Sequence, residues 1–237
     1  MASDSVAQPT RRLAIAIALF YTFALGLSFA AAKLPATNNI GGYRMDGGLL
    51  IGLGPLVATV TACLVLRQKF PSLFGHGLAI GALALLVPIG LAAFVGFGKA
   101  IPAGIPGLIY GASIVVYCIC EEAGWRGFLT SNLQWMKEWH ADLLTGVLWF
   151  AWHFTFMSEM YSPDYLPGFT AAIIAGSFGL AAARRFTGGF ALAAGWHTAV
   201  KLTPMGPLAF VFIAFLALLT LRAKKASMAL MIAEQQI

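Results

Sequence analysis

Charged side chains are scarce in this sequence: 15 Lys and Arg and 9 Asp and Glu make up 10% of its 237 residues. A soluble domain carries about 25% charged residues, so the chain lacks the polar surface that a water-soluble fold needs. Hydrophobic residues reach 59%, and they recur in runs of roughly 20 residues, the length of a membrane-spanning helix. The alternating segments of about ten residues that build a transmembrane β-barrel are absent. We therefore predict an all-α, polytopic integral membrane protein.

Several signatures of known catalytic classes are also missing. There is no HExxH zinc-protease helix, no GxSxG nucleophile elbow and no CxxC pair. The four aspartates lie in loops or at span ends, which excludes a pair of intramembrane catalytic aspartates. Cys63, Cys118 and Cys120 fall inside apolar runs, so we interpret them as buried free thiols. The +6 net charge comes from short basic clusters rather than a continuous stripe, which favours membrane topology over nucleic-acid binding.

Hydropathy and its polar boundaries predict eight transmembrane helices. After a polar tail over residues 1–10, the spans cover about residues 13–32, 49–66, 77–97, 105–129, 142–157, 166–183, 189–202 and 208–221. A cleaved signal peptide is the competing interpretation of the first run, but its apolar core would be only about 7–15 residues, and we favour a retained span. Residues 130–141 are predicted to form an amphipathic connector at the interface. No internal repeat divides the chain, so we predict a single domain over residues 1–237.

The distribution of basic residues predicts the orientation in the membrane, because cytoplasmic loops are enriched in Lys and Arg. Eight spans place eleven of the 15 basic residues on one side and four on the other. The eleven are Arg11, Arg12, Arg67, Lys69, Arg126, Lys137, Arg184, Arg185, Arg222, Lys224 and Lys225, and the four are Lys33, Arg44, Lys99 and Lys201. This bias predicts that both termini are cytoplasmic.

Four ionisable residues interrupt the apolar runs. Glu121 and Glu122 fall near the cytoplasmic end of the fourth span, His153 in the fifth and His197 in the seventh. Ionisable side chains at membrane depth are costly and mark functional sites. Because the four share the cytoplasmic half or the midplane, we predict that three helices gather them around one membrane-embedded cavity. Such a set also fits a transporter or a proton relay, although transporter folds often contain inverted repeats.

The two glutamates have different predicted roles. Glu122 and Arg126 occupy positions i and i+4 of a helix, which places them on one face as an ion pair. Glu121 is rotated by about 100° from Glu122 and is predicted to remain free, as a general base for water requires. The aromatic residues near His153 are interpreted as packing residues: Trp149, Trp152, Phe154 and Phe156.

Three segments together resemble a known family. The segment 121–126 (EEAGWR) resembles the EExxxR signature of the CAAX-protease and bacteriocin-processing (CPBP, or ABI) family of intramembrane proteases. The segment 149–153 (WFAWH) is similar to its second motif, FxxxH, with Trp149 in the Phe position. The segment 197–201 (HTAVK) is similar to its third motif, HxxxN or HxxxD, with Lys201 in the polar position. The motifs cover about residues 115–202, within a family-like core of about 105–222.

The resemblance implies an endopeptidase that hydrolyses a peptide bond near the cytoplasmic membrane surface. The implied substrate is a membrane-associated peptide or protein, and the family name also fits a prenylated C terminus. The resemblance implies four catalytic residues, Glu121, Glu122, His153 and His197, and three supporting ones, Arg126, Trp149 and Lys201. One glutamate would activate water, the first histidine would position it, and the second would donate to the oxyanion. This mechanism implies no cofactor, but two Glu and two His could also bind zinc, and both possibilities stay open.

Lys201 departs from the family pattern. It lies one helical turn from His197 on the same face. Its ammonium could donate to the oxyanion, form an ion pair with a glutamate and silence the site, or extend outward to the membrane surface. We favour retained proteolysis, and the alternative is a catalytically silent member that acts as an immunity or scaffold protein.

Overall fold

The computed structural model describes residues 11–34, 39–40, 42–46 and 48–234, so the polar tail predicted for residues 1–10 lies outside the described residues. Within them the chain forms eight helices longer than ten residues. These are α1 (Arg11–Lys33), α2 (Leu49–Leu66), α3 (Leu78–Val95), α4 (Ile105–Glu122), α5 (Glu138–His153), α6 (Leu166–Thr187), α7 (Ala191–Lys201) and α8 (Pro207–Glu234). Two short strands, β1 (Asn39–Ile40) and β2 (Tyr43–Arg44), pair in antiparallel fashion between α1 and α2. The predicted all-α fold is confirmed.

Six of the helices are long and apolar enough to cross a membrane: α1, α2, α3, α4 with its C-terminal extension, α6 and α8. The other two helices are α5, with 16 residues, and α7, with 11 residues. Both are shorter than the roughly 20 residues of a full span. The chain is therefore a polytopic membrane protein, and the predicted count of eight spans is approximate.

The helix that begins with α4 does not end at the glutamate pair. After Glu122 the backbone continues as a π-helix over Ala123–Leu129 and a last turn over Thr130–Asn132. The polar side chains in this segment do not end the helix, because they donate hydrogen bonds to carbonyl oxygens of the preceding turn. Thr130 Oγ1, for example, donates to the Trp125 carbonyl oxygen at 2.9 Å. Since α5 already begins at Glu138, the connector predicted over residues 130–141 shrinks to residues 133–137. The glutamate pair thus lies in the interior of a long helix.

Contacts between the ends of neighbouring helices define one end of the bundle. Between the α2–α3 connection and the α6–α7 turn, the His76 amide donates to the Thr187 carbonyl oxygen at 2.8 Å. Arg185, near the C terminus of α6, binds Asp142 near the start of α5, with 2.9 Å between Nη2 and Oδ2. We call this the basic end. It contains the N termini of α1, α3, α5 and α7 and the C termini of α2, α6 and the α4 extension.

The opposite end of the bundle contains the C termini of α1, α5 and α7 and the N termini of α2, α6 and α8. Ser28 Oγ, near the C terminus of α1, donates to the Ile51 carbonyl oxygen near the start of α2 at 2.8 Å. Trp152 Nε1, near the C terminus of α5, donates to Ser28 Oγ at 3.0 Å. Lys201, the last residue of α7, pairs with Asp46 just before α2. These contacts fix which helix ends share this side of the molecule.

Small residues bring α7 against α3. A Cβ atom added at Gly195 would lie 2.7 Å from Ala84 Cβ and 2.9 Å from the Ala84 carbonyl oxygen, distances that real Cβ atoms do not adopt. Glycine therefore allows the two backbones to approach closely, as small residues do in membrane helix pairs. Because His197 follows two residues later, this close contact also sets the position of its side chain.

Candidate active site

Glu122 is the centre of a buried polar cluster. Its Oε1 accepts hydrogen bonds from Arg126 Nη1 at 3.0 Å and from His197 Nδ1 at 2.9 Å. Glu122 and Arg126 are fully buried, and His197 is 9% exposed. The ion pair predicted from the i, i+4 spacing is present. The bond to His197 joins α4 to α7 and so brings the first and third sequence motifs together.

Arg126 is held by an aromatic ring as well as by a carboxylate. Its guanidinium carbon lies 4.1 Å from the centroid of the Trp149 ring, which is a cation–π contact. Trp149 belongs to α5 and to the second sequence motif. Arg126 therefore links all three motifs, through Glu122 to His197 and directly to Trp149.

Glu121 is fully buried and bonds to the same tryptophan. Its Oε2 accepts a hydrogen bond from the neutral Trp149 Nε1 at 2.9 Å, a contact that the sequence did not predict, and Glu121 has no ion pair among the described contacts. Trp149 is in turn more than the packing residue that its sequence context suggests. Within the described part of the chain, Glu121 Oε1 has no hydrogen-bond partner. One oxygen of Glu121 is thus held by Trp149, and the carboxylate as a whole is closed to solvent.

His153 is the last residue of α5 and is 6% exposed. Its Nδ1 lies 2.8 Å from the Trp149 carbonyl oxygen. Because a carbonyl oxygen only accepts, Nδ1 carries the proton in this bond, and Nε2 of the neutral ring is left as an acceptor. The rings of His153 and His197 both flank the Trp149 ring, with centroid distances of 5.6 and 5.4 Å. The fold therefore gathers both histidines around one tryptophan.

A cavity of about 750 Å³ adjoins the cluster, within the range of pockets that bind small ligands. Trp149, His153 and His197 line it, together with mostly apolar side chains that include Phe169 and Ile173 of α6. The two glutamates are buried behind this wall rather than part of it. The histidines are thus the polar groups that a bound molecule would meet first.

Lys201 lines the same cavity but pairs away from the glutamates. Its Nζ lies 3.4 Å from Asp46 Oδ2 and 3.8 Å from the centroid of the Tyr117 ring. The backbone amide of Asp46 is itself held by Ser113 Oγ of α4 at 2.7 Å. The Lys201 side chain is 27% exposed, and among the described contacts its ion-pair partner is Asp46 rather than Glu121 or Glu122.

Sequence reasoning missed two contributors to this site, Trp149 as a hydrogen-bond donor and Asp46 as the partner of Lys201. The sequence does contain a signal for Asp46, because a lysine in an otherwise apolar helix needs a nearby acid. Asp46 is one of three acidic residues in the loops at the end of the bundle where α7 finishes, with Glu159 and Asp164. For Trp149 the only signal is its spacing of four residues from His153.

Glutamate and histidine side chains, which can bind zinc, meet in this cluster. Among residues 11–34, 39–40, 42–46 and 48–234, no group of three or more His, Cys, Asp and Glu side chains is placed to hold a metal ion. Zinc needs three or four such ligands, whereas Glu122 is already engaged by Arg126 and His197. The residues in this arrangement therefore do not fit a zinc site.

A protein-family model matches part of the chain. The family model described as Rce1-like, type II CAAX prenyl endopeptidase Rce1-like, matches residues 103–233. The match covers more than half of the chain, including all three motifs, and it confirms the family that the motifs predicted. No curated protein and no solved structure matches the chain.

Proposed function

Because the chain belongs to the Rce1-like family of type II CAAX prenyl endopeptidases, we propose that it hydrolyses a peptide bond at the cavity wall formed by Trp149, His153 and His197. The family supports an intramembrane endopeptidase, and the activity of this member and the roles of its residues are the proposed part. The observation that carries the proposal is the 2.9 Å bond between Glu122 and His197. It unites two family motifs beside a cavity with room for part of a peptide.

Glu121 is the general base of the proposed mechanism. Its Oε1 takes a proton from a water molecule as the water oxygen attacks the carbonyl carbon of the peptide bond. The proton then passes to the amine nitrogen as the C–N bond breaks. Glu121 suits this role better than Glu122, whose Oε1 already accepts two hydrogen bonds from basic side chains. A positioned general base contributes roughly 10²–10⁴-fold to a rate.

The two histidines act on the cavity side of the glutamates. His153 positions the attacking water through Nε2, because its Nδ1–H is held by the Trp149 carbonyl oxygen. His197 keeps its Nδ1–H on Glu122 and, when doubly protonated, donates Nε2–H to the oxyanion. A preorganised donor of this kind is worth roughly 10²–10³-fold in rate.

The surroundings of Lys201 support an active site over a silent one. An ammonium bound to Glu121 would occupy the oxygen that the base needs. Lys201 instead pairs with Asp46 and covers the Tyr117 ring. The substitution at the third motif therefore leaves the glutamate pair undisturbed, and we favour a working peptidase.

The proposal is tested with purified protein and a fluorogenic peptide library. We expect cleavage by the wild type and a loss of about 10²-fold or more in Glu121→Gln, because the base is removed. His153→Ala and His197→Ala should also lose most of the activity. Since the donor set does not fit zinc, a chelator should leave the rate unchanged.

Matched controls come from the basic end of the bundle. Glu138 is an exposed glutamate whose carboxylate lies 3.7 Å from Arg185, and Glu138→Gln should cleave at the wild-type rate. His140→Ala is the corresponding histidine control. If the wild type cleaves no peptide in the library, or if Glu121→Gln cleaves as fast as Glu138→Gln, the proposed function is wrong.

A further inference from the structure

Lys201 is a cation on the wall of the cavity, at the last residue of α7. A charge within a membrane protein needs an anionic partner, because an uncompensated one is costly there. Three acids near it among the described residues are Asp46, Glu121 and Glu122. The buried Cys118 thiol of α4 interacts electrostatically with Lys201 and with both glutamates. The lysine and the glutamate pair therefore belong to one small region of charge.

Asp46 is held in place by α4. Its backbone amide donates to Ser113 Oγ at 2.7 Å, and the same hydroxyl donates to a carbonyl oxygen of α4 at 2.7 Å. A Cβ atom added at Gly48 would lie 3.2 Å from Asp46 Oδ2 and 3.0 Å from Tyr117 Cε2, so the loop before α2 packs directly on the Tyr117 ring. Oδ2 is also the oxygen that lies 3.4 Å from Lys201 Nζ. The fold thus supplies a fixed carboxylate beside the ammonium.

Through the Tyr117 ring, Lys201 lies close to the proposed general base. Its Nζ is 3.8 Å from the ring centroid, and Tyr117 precedes Glu121 by four residues on the same face of α4. One helical turn is about 5.4 Å, a distance that the flexible stem of a lysine side chain covers. Tyr117 and Lys201 both line the cavity, so the ammonium faces the space from which water must reach Glu121.

Of the two glutamates, Glu121 is the one that a released lysine would bind. Glu122 Oε1 is already engaged by Arg126 and His197. Glu121 has no ion pair among the described contacts, and its Oε1 has no hydrogen-bond partner there. An ammonium at Oε1 would occupy the atom that takes the proton in the proposed mechanism.

We infer that Asp46 is a positioning residue of the peptidase: by binding Lys201, it keeps the ammonium away from Glu121 and leaves the general base free. The inference rests on the proposed function. It accounts for a lysine at the third-motif position of a working enzyme, because the loop before α2 supplies the counter-charge.

The first test measures cleavage by the detergent-purified protein. Asp46→Asn removes the counter-charge and keeps a side chain of the same shape, and we expect a loss of about 10²-fold in rate, the contribution of the blocked base. Lys201→Asn added to Asp46→Asn should restore the rate of Lys201→Asn alone, because no cation remains to bind Glu121. Asp164→Asn, at an exposed acid of the same end of the bundle, is the matched control and should cleave like the wild type.

Two results of this test overturn the inference. One is a rate in Asp46→Asn equal to that of the Asp164→Asn control. The other is a loss that Lys201→Asn does not restore, since Asp46 would then act on folding or on the substrate and not through the lysine.

Thermal unfolding tests the same contact without any peptide. In the wild-type background, Glu121→Gln should leave the unfolding temperature unchanged or raise it, because it removes a buried charge that has no ion pair. In the Asp46→Asn background the same substitution should lower that temperature by a few degrees, since it removes the new partner of Lys201. An equal change in both backgrounds overturns the inference. If the wild type cleaves no peptide, the proposed function fails, and the two backgrounds still decide whether Asp46 sets the partner of Lys201.

Discussion

Glu121 and Glu122 are adjacent in the sequence but have different electrostatic surroundings. Glu122 is compensated by the Arg126 guanidinium and bonded to His197. Glu121 accepts the neutral indole N–H of Trp149 and is not directly paired with a basic side chain among the described contacts. An unpaired buried charge costs stability, whereas a paired one costs much less until its partner is removed. The two carboxylates are therefore expected to contribute differently to the free energy of unfolding.

This difference predicts opposite effects of the same substitution. Glu122→Gln leaves the Arg126 cation buried without an anion, which should lower the free energy of unfolding by about 3–5 kcal/mol. Glu121→Gln removes a buried charge and keeps an acceptor for the Trp149 N–H, so stability should be unchanged or higher. Thermal unfolding of both variants in the same detergent measures the contrast.

The exposed Glu138→Gln provides the baseline for these measurements and should unfold like the wild type. Equal losses in Glu121→Gln and Glu122→Gln would mean that the two carboxylates share one network. That result would contradict the division of roles between them.

Residue-level prediction succeeded where contacts are local. The Glu122–Arg126 pair follows from helix geometry alone, because positions four apart share a face. The Glu122–His197 bond spans 75 residues, and the shared depth of the two residues and the family motifs predicted a common cavity but not this bond. The hydrogen bond from Trp149 to Glu121 was not predicted. Hydropathy reflects the apolar ring of Trp149 and gives no information on where its donor, Nε1, will lie. Its position in the bundle decides that this one polar atom meets Glu121.

At the scale of the element, α7 depends on close packing against α3. Gly195 faces Ala84 with no room for a Cβ, and almost every residue of α7 up to Thr198 is buried. The position of His197 is therefore set by the α3–α7 contact as much as by Glu122.

Gly195→Ala is predicted to push α7 away from α3. Overpacking of a tight contact costs about 1–3 kcal/mol, and the shift should move His197 and lower the peptidase rate. Gly90→Ala on α3 is the matched control, because a Cβ at Gly90 meets nothing within 4 Å. Thermal unfolding and cleavage rate are measured for both. Equal behaviour of the two variants would mean that the Gly195 contact does not hold the site.

Element boundaries were harder to predict than the elements. The apolar runs identify the helices because length and hydropathy are local properties. The π-helix over Ala123–Leu129 has no such signal, since its register depends on packing against α2 and on the buried Arg126. The start of α5 was placed near residue 142 because the polar residues before it resemble a connector. In the structure those residues form the first turn of the helix from Glu138.

At the scale of the whole molecule, the sequence predicted the membrane class correctly, and the orientation of the site in the membrane stays a prediction. Depth was inferred by counting residues from the cytoplasmic end of each span, with His153 inside a span that ran to residue 157. In the structure α5 ends at His153, which moves this histidine to the opposite end of the bundle. Counting along separate helices cannot reveal where a cavity opens, because that depends on how the helix ends pack. The single-domain organisation stays a prediction.

The shortness of α5 has a consequence for the surrounding lipid. Sixteen residues span about 24 Å at 1.5 Å per residue, against a hydrocarbon core of about 30 Å. Leu143 and Val147 are exposed on its outer surface, so α5 contacts the acyl chains directly. A mismatch of this size is relieved when the bilayer thins beside the helix, at a cost of fractions of a kcal/mol per Å.

Since α5 ends at His153, a thick bilayer should strain the very helix that carries this histidine. We expect the cleavage rate to be several-fold higher in phosphatidylcholine bilayers with short acyl chains than in those with long ones. The measurement compares proteoliposomes of each chain length, with the rate in detergent as the common reference. A rate that is independent of chain length would show that α5 tilts or is shielded without disturbing the site. A rate that falls as the acyl chains lengthen would mean that bilayer thickness regulates the proposed peptidase activity.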